Sequence, residues 1–447
     1  MYALVPSMLP LASLAAFFLS VAPALAQPDP SQPEHVHHAE DHVHERPDNV
    51  SIAQEGSGTS LLPYETPSYA LHRHAGEWML MAHWQAFLQY IVEGSNRGDD
   101  QLGSVNWLMG SASHALGSGR LQMRGMISLE PATIPGCGYP DLLASGEECK
   151  GDVIHDRQHP HDLFMELAAI YDRPITRRVS LQLYAAPVGE PALGPVAFPH
   201  RQSAASNLVA PITHHWFDAT HVSFGVLTAA AYGRSWKAET SQFNGREPDE
   251  RRTDFDFASL DSWSARFWFL PTRRWALQAS GGHLHEVETG QNGVPATDVT
   301  RVTASATYHR MTAGHVWAST LGWAQNRGAG AAATGAMLAE GSLTVEDRDT
   351  WFGRFELSEK TGRELGLESD DVVGLAKVQA GYTRYLSAWH GLKAGFGGSV
   401  SASIVPEQLK PAYGSRLNAG LAVFLAVRPA GRAPDDLTRS AQGQSRQ

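Results

Sequence analysis

From residue 77 onward, hydrophobic and polar side chains alternate in one segment after another, and turn residues interrupt the alternation at near-regular intervals. A period of two sends successive side chains to opposite faces, so such a segment reads as a β-strand with one apolar side. In residues 120–130, Leu121, Met123, Gly125, Ile127 and Leu129 share one face, opposite Arg120, Gln122, Arg124, Ser128 and Glu130. In residues 262–270, Trp263, Ala265, Phe267 and Phe269 oppose Ser262, Ser264 and Arg266. In residues 297–309, Val302, Ala304, Ala306 and Tyr308 oppose Arg301, Thr303, Ser305 and Thr307. The last segment carries Leu417, Ala419, Leu421, Val423, Leu425 and Val427 on one side. These segments run to about 10–14 residues, longer than the roughly 5–6 of soluble strands and close to the roughly 9–11 that span a bilayer. Trp78, Tyr90, Trp275, Trp351, Tyr382 and Tyr385 fall near segment ends, where interfacial aromatics belong.

Sixteen segments start near residues 77, 102, 118, 162, 178, 219, 233, 260, 274, 298, 313, 335, 350, 372, 391 and 415, and counts of 14 to 18 fit the same pattern. Links at 232–233, 271–273, 311–313, 346–349 and 387–390 are short, whereas the alternate links are longer, the longest at about 131–161 and 187–215. Alternating short turns and long loops are the connectivity of an outer-membrane barrel with periplasmic turns and external loops. Hydrocarbon tolerates no unpaired backbone edge, so the sheet must close. The expected fold is therefore all-β: a transmembrane antiparallel β-barrel over residues 77–428, with long external loops folded inward. A propeller would need a repeat of about 40–50 residues, and none is present.

Composition narrows the function. The 447 residues are 43% hydrophobic and 18% charged, with a net charge of −11. The acidic balance excludes a phosphate-neutralising nucleic-acid partner. Two cysteines exclude a disulfide-rich scaffold and a cysteine-based zinc module. Residues 1–26 read as a signal peptide ending in Ala24-Leu25-Ala26. In an exported chain Cys137 and Cys149 form a disulfide that stabilises its small loop by roughly 3 kcal/mol. Residues 27–76, rich in Pro, Gly and His, read as a disordered periplasmic extension, and residues 429–447 as a polar tail.

The 21 histidines are the main compositional anomaly. His35, His37, His38, His42 and His44 form a tract in the extension that could wrap a metal without preformed geometry. His155, His159, His161 and Asp162 end the first long loop, while His200, His214, His215, Asp218 and His221 belong to the second. Alternation puts His221, Ser223 and Gly225 on the lumen side. If both loops fold inward, these groups converge on a metal site, a constriction, or a hydrogen-bonded plug without metal. Zn, Cu or Ni is the ion such ligands suit, although the fold requires no cofactor. Binding through exposed imidazoles should weaken below about pH 6.

The inferred lumen face carries Arg120, Arg124, Lys237, Arg266, Arg301, Arg354 and Lys377, interleaved with Glu130, Glu166, Glu239 and Glu356. Opposed charges would either set up a transverse field in an open pore or pack a narrow lumen as neutralised pairs. No Gly-x-Ser-x-Gly elbow is present and no catalytic residue is assigned, so an enzyme is not expected.

The stretches HDRQHPHDLFMELAA (155–169), GEPALGPVAFPHR (189–201), HHWFDATH (214–221) and FNGREPDE (243–250) resemble a family of uncharacterised outer-membrane β-barrel proteins of Gram-negative bacteria, over roughly residues 57–428. The resemblance implies a barrel and transfers no functional residues. The expectation is a porin-like channel in the Gram-negative outer membrane. Its partners are membrane lipid and small solutes or divalent metal ions, and its His-rich segments handle a transition metal. A non-transporting metal-binding outer-membrane protein and a lipid-modifying enzyme are the alternatives. The oligomeric state, the solute and its direction of passage are not legible.

Overall fold

The computed structural model describes residues 55–288, 297–329 and 332–430. The signal segment, the histidine tract and the end of the polar tail lie outside them.

Each alternating stretch becomes a strand: β1 (Leu71–Ala75), β2 (Trp78–Glu93), β3 (Asp100–Leu116), β4 (Gly119–Ile127), β5 (Tyr139–Cys149), β6 (Asp152–Gln158), β7 (Phe164–Pro174), β8 (Ser180–Gly189), β9 (Ser223–Tyr232), β10 (Trp236–Phe243), β11 (Ser262–Thr272), β12 (Trp275–Glu288), β13 (Thr297–Thr312), β14 (His315–Gly328), β15 (Ala333–Val345), β16 (Asp349–Thr361), β17 (Val372–Tyr385), β18 (Leu392–Ile404) and β19 (Leu417–Pro429). Strands β2–β4 and β7–β19 pair antiparallel in chain order, and β19 returns to β2 with Gly420 opposite Glu93 and Val427 opposite Ala86. The result is a closed barrel of 16 strands. Strand β1 lies outside that ring as a short hairpin partner of β2, while β5 and β6 form a separate two-stranded hairpin.

The alternation resolves into wall geometry. Along β19, Leu417, Leu421, Val423 and Leu425 are exposed, whereas Asn418, Ala422, Phe424 and Arg428 are buried. Trp263, Phe267 and Phe269 on β11, Trp323 on β14 and Trp351 on β16 are likewise exposed. A wall that turns its large apolar side chains outward and its charges inward suits a hydrocarbon surround. The turns 117–118, 175–179, 233–235, 273–274, 313–314, 346–348 and 386–391 lie at one end of the barrel. The long connections 128–163, 190–222 and 244–261 lie at the other.

Several elements depart from the sequence reading. Residues 55–66, expected in a disordered extension, enter the lumen from the short-turn end as a hairpin closed by a bridge between Glu55 and Leu61. Its foot is tied to the turns: Tyr64 donates to the Arg234 carbonyl at 2.8 Å, and Glu65 pairs with Arg274 at 3.1 Å. The physical reason is tertiary, because buried Arg and Lys of the wall recruit the hairpin's backbone carbonyls. Strand β4 stops at Ile127, and Glu130 opens a helical turn, Glu130–Thr133, rather than extending the wall. His221 ends the turn Ala219–His221 ahead of β9, so alternation does not orient it. On β9 itself the buried set is Phe224, Val226, Thr228 and Ala230, opposite to the parity expected from His221.

Candidate functional site in the barrel lumen

The lumen is filled by three inserted pieces. The hairpin 55–66 occupies the short-turn half. Arg124 donates to the Gly58 carbonyl, Lys237 to the Thr59 carbonyl, and Arg266 to Thr59 Oγ1. Loop 190–222 runs along the inside of β14–β17. There Arg354 donates to the Val209 carbonyl at 2.8 Å, and the Thr213 amide donates to Glu356 at 3.0 Å. The β5–β6 hairpin folds inward beneath the long-loop end: Lys360 donates to the Leu143 carbonyl at 2.7 Å, and Lys377 pairs with Asp141 at 2.6 Å. A disulfide joins Cys137, just before β5, to Cys149, the last residue of β5 beside the hairpin turn.

The charged side chains expected to line a pore face inward and pair with one another. Arg124 pairs with Glu166, Lys237 and Arg266 with Glu239, Arg354 with Glu340, and Lys377 with Glu93. Arg120 pairs with Glu55 of the hairpin and with Asp172. Arg301 donates to Asn326 at 3.0 Å, and Glu356 is taken up by Thr213. The arrangement is therefore closer to neutralised packing than to an open transverse field, because each of these cations except Arg301 meets a carboxylate. Leaving one such group unpaired would cost several kcal/mol, which ties wall and inserted segments together.

The two long loops bring five histidines together. His161 and His221 have ring centroids 5.2 Å apart, His214 and His221 5.1 Å, and His214 and His215 5.5 Å; His159 lies 6.3 Å from both His214 and His215. Four of the rings face oxygen acceptors, with Nδ1 of His215 3.1 Å from Glu247 Oε1. Nδ1 of His161 is 2.9 Å from Glu130 Oε2, Nδ1 of His214 is 2.8 Å from Asp218 Oδ1, and Nδ1 of His221 is 2.7 Å from the Asp218 carbonyl. An imidazole that donates through Nδ1 presents Nε2 as its lone-pair nitrogen, as metal-ligating histidines do. His221 Nε2 is buried without a hydrogen-bond partner. Burial holds His214 below the ordinary histidine range and His221 well below it, which keeps both rings neutral at pH 7.

Other sequence candidates are elsewhere. Asp218 acts as an orienting acceptor, held also by Arg201 at 3.1 Å. Asp162 faces Arg252 at 3.5 Å, and His155 is exposed on β6 against Gly366. His200 leaves the imidazole group for a different setting: its ring lies 4.7 Å from Trp107 and 5.4 Å from His83, with Nε2 3.2 Å from Met126 Sδ. His83, Met109, Met126 and Met165 were not singled out by the sequence reading. The available signal was Met126 itself, an apolar residue on the face that otherwise reads Arg120, Gln122, Arg124, Ser128. Asp249, Asp254 and Asp256 also cluster in loop 244–261, where Asp249 and Asp254 are engaged by Arg251.

A closed 16-stranded barrel with an apolar exterior and a charged interior defines a transmembrane β-barrel of the outer-membrane class. Among solved structures, the chain is similar to OmpT of Vibrio cholerae with loop L8 deleted, at 11% identity over 78% of this chain and 99% of that one, with a TM-score of 0.48. It is similar to OmpF of Salmonella typhi in complex with daunomycin, at 10% identity over 80% and 100% with a TM-score of 0.48. It is also similar to an anion-selective porin of Comamonas acidovorans, at 9% identity over 78% and 99% with a TM-score of 0.46. No family model and no curated protein matches the chain.

Proposed function

We propose that the protein is a porin-like channel of the outer membrane, closed in this conformation by inserted segments, that handles a transition metal at the histidines of its inner loops. In this reading the short turns face the periplasm, so hairpin 55–66 enters from that side. The carrying observation is that the lumen is blocked by pieces that are not wall. Segment 55–66 and loop 190–222 can move without opening a strand pairing, and the second of them carries His214 and His221. A non-transporting metal-binding barrel is the second reading, favoured by how completely the inserted segments fill the lumen.

Planar-bilayer recordings of the refolded mature chain, with and without micromolar Zn²⁺ or Cu²⁺, test the proposal. Ohmic steps altered by metal are expected, and the double substitution His214→Gln/His221→Gln should remove the metal effect. Steps indifferent to metal would leave a general porin. Absence of steps at any voltage would favour the non-transporting reading.

A further inference from the structure

Between the hairpin tip and the β2–β3–β4–β7 wall lies a chamber whose chemistry differs from the rest of the lumen. His83 on β2 sits directly opposite Met109 on β3, and Met109 sits opposite Met126 on β4. The β4–β7 register shifts beside Met126, and Met165 falls at that irregularity with its side chain turned to the same place. The three methionines are 3%, 3% and 2% exposed, so none of them serves the outer apolar belt. Met109, Met126 and Met165, with His200 and His221, line a small void that the hairpin tip, Ser57 and Gly58, closes.

Two contacts show what the chamber is built to hold. His83 Nε2 lies 3.0 Å from Met109 Sδ, and His200 Nε2 lies 3.2 Å from Met126 Sδ. A metal with bonds of about 2.0 Å to nitrogen and 2.3 Å to sulfur holds such a pair roughly 3.5 Å apart in a tetrahedral site. The two N···S pairs, at 3.0 and 3.2 Å, are shorter than that spacing by up to about half an ångström, and the His83 and His200 rings are 5.4 Å apart. Two carboxylates also line the void: Glu166 is committed to Arg124 and Tyr184, while Glu190 meets Arg266 through Oε1 at 3.4 Å and keeps Oε2 without a hydrogen-bond partner. Apart from that oxygen, the donors are thioether and imidazole, which are neutral. Thioethers select soft ions, and uncharged donors suit a monovalent one better than a divalent one.

We propose that this chamber binds a soft monovalent metal ion of the copper(I) or silver(I) class, with Met109, Met126 and Met165 as thioether ligands and His200 as an imidazole ligand, while His83, outside the lining, positions Met109 through its Sδ. The assignment rests on the metal-handling reading above and names its ion. His221 lines the chamber and also packs against His161 and His214, so an ion leaving the thioethers meets the imidazole group next. The hairpin tip is the door on the short-turn side. Gly58 has φ +53, and a Cβ there would lie 2.7 Å from Glu190 Cβ, so the tip fits closely enough to seal the void.

The test is metal competition on the refolded full mature chain in detergent. The five tail histidines carry His35→Gln, His37→Gln, His38→Gln, His42→Gln and His44→Gln in every sample, so that the tail does not contribute. Copper(I) is presented from a chromophoric chelator, with Zn²⁺ titrated in parallel. One tight copper(I) equivalent is expected, with a sulfur shell in its X-ray absorption spectrum. Met109→Leu/Met126→Leu/Met165→Leu should lower copper(I) affinity about 100-fold or more and leave Zn²⁺ affinity unchanged. Leucine preserves the packed volume, and heat-modifiable gel migration reports the fold. Met165→Leu alone, the mildest change, should lower copper(I) affinity about tenfold. Equal copper(I) affinity in the wild-type and triple variants would overturn the proposal and assign the methionines to packing. Zn²⁺ binding without copper(I) binding would overturn it while leaving the metal-handling reading standing. Binding of neither ion would overturn both.

Discussion

Arg201 illustrates how single residues hold this lumen shut. It is fully buried, and its guanidinium spans Asp218 of its own loop at 3.1 Å and Glu340 of the wall at 2.5 Å. Arg354 approaches the other oxygen of Glu340 at 3.2 Å. One carboxylate thus neutralises two buried cations, one on the loop and one on the wall. Glu340→Gln keeps the shape and removes the charge, so it should destabilise the barrel by about 3–5 kcal/mol. A denaturant midpoint measured in micelles checks this, and an unchanged midpoint would mean that water already reaches the pair. Residue type was partly legible at this scale. The pairing partners were not, since Arg201 and Glu340 are 139 positions apart and meet only after closure. Met126 was legible as a break in alternation, but its meaning depended on Met109 and His83 arriving beside it through register.

Loop 190–222 is the element on which the proposed chemistry depends, and its protonation gives it a pH dependence. Burial lowers the His214 pKa and takes His200 and His221 well below the ordinary value. The unfolded or withdrawn loop therefore binds protons, near pH 6.5 and below, that the inserted loop refuses. In the metal-free protein the inserted state should be fully favoured above about pH 6.5 and lose stability as pH falls towards the depressed values. Hydrogen exchange corrected for intrinsic rates should show amides 190–222 less protected at pH 5 than at pH 7, with wall strands unchanged. Equal protection at both pH values would place the histidines in a solvated setting. The same burial means that metal held at His214 and His221 should persist to lower pH than metal on exposed imidazoles.

The wall strands were legible because a two-residue period survives any packing. Sixteen starts read from the pattern fall within a few residues of the observed ones, as at Trp78, Gly119 and Val372. Hairpin 55–66 was not legible for an equally physical reason. Its anchors are the carbonyls of Gly58 and Thr59, and backbone atoms carry no sequence signal. Its glycines, part of the Pro-, Gly- and His-rich composition that suggested disorder, are what let it fit between buried side chains.

At the scale of the whole molecule, closure makes the fold, and in the proposed reading the inserted segments determine whether it conducts. The ring needs no edge protection, and its apolar exterior is continuous around β2–β4 and β7–β19. The interior pairs Arg124 with Glu166 and Lys237 and Arg266 with Glu239 entirely within the wall, so losing the hairpin leaves those cations neutralised. A mature chain beginning at Pro67 should therefore still fold. Single-channel conductance of that truncated chain beside the full mature chain is the most direct measurement of whether the barrel is a closed channel. The full chain should show small steps, and the truncated chain should show distinctly larger ones. Identical traces from the two would contradict the account and leave a solid barrel whose lumen serves only to hold its own charges.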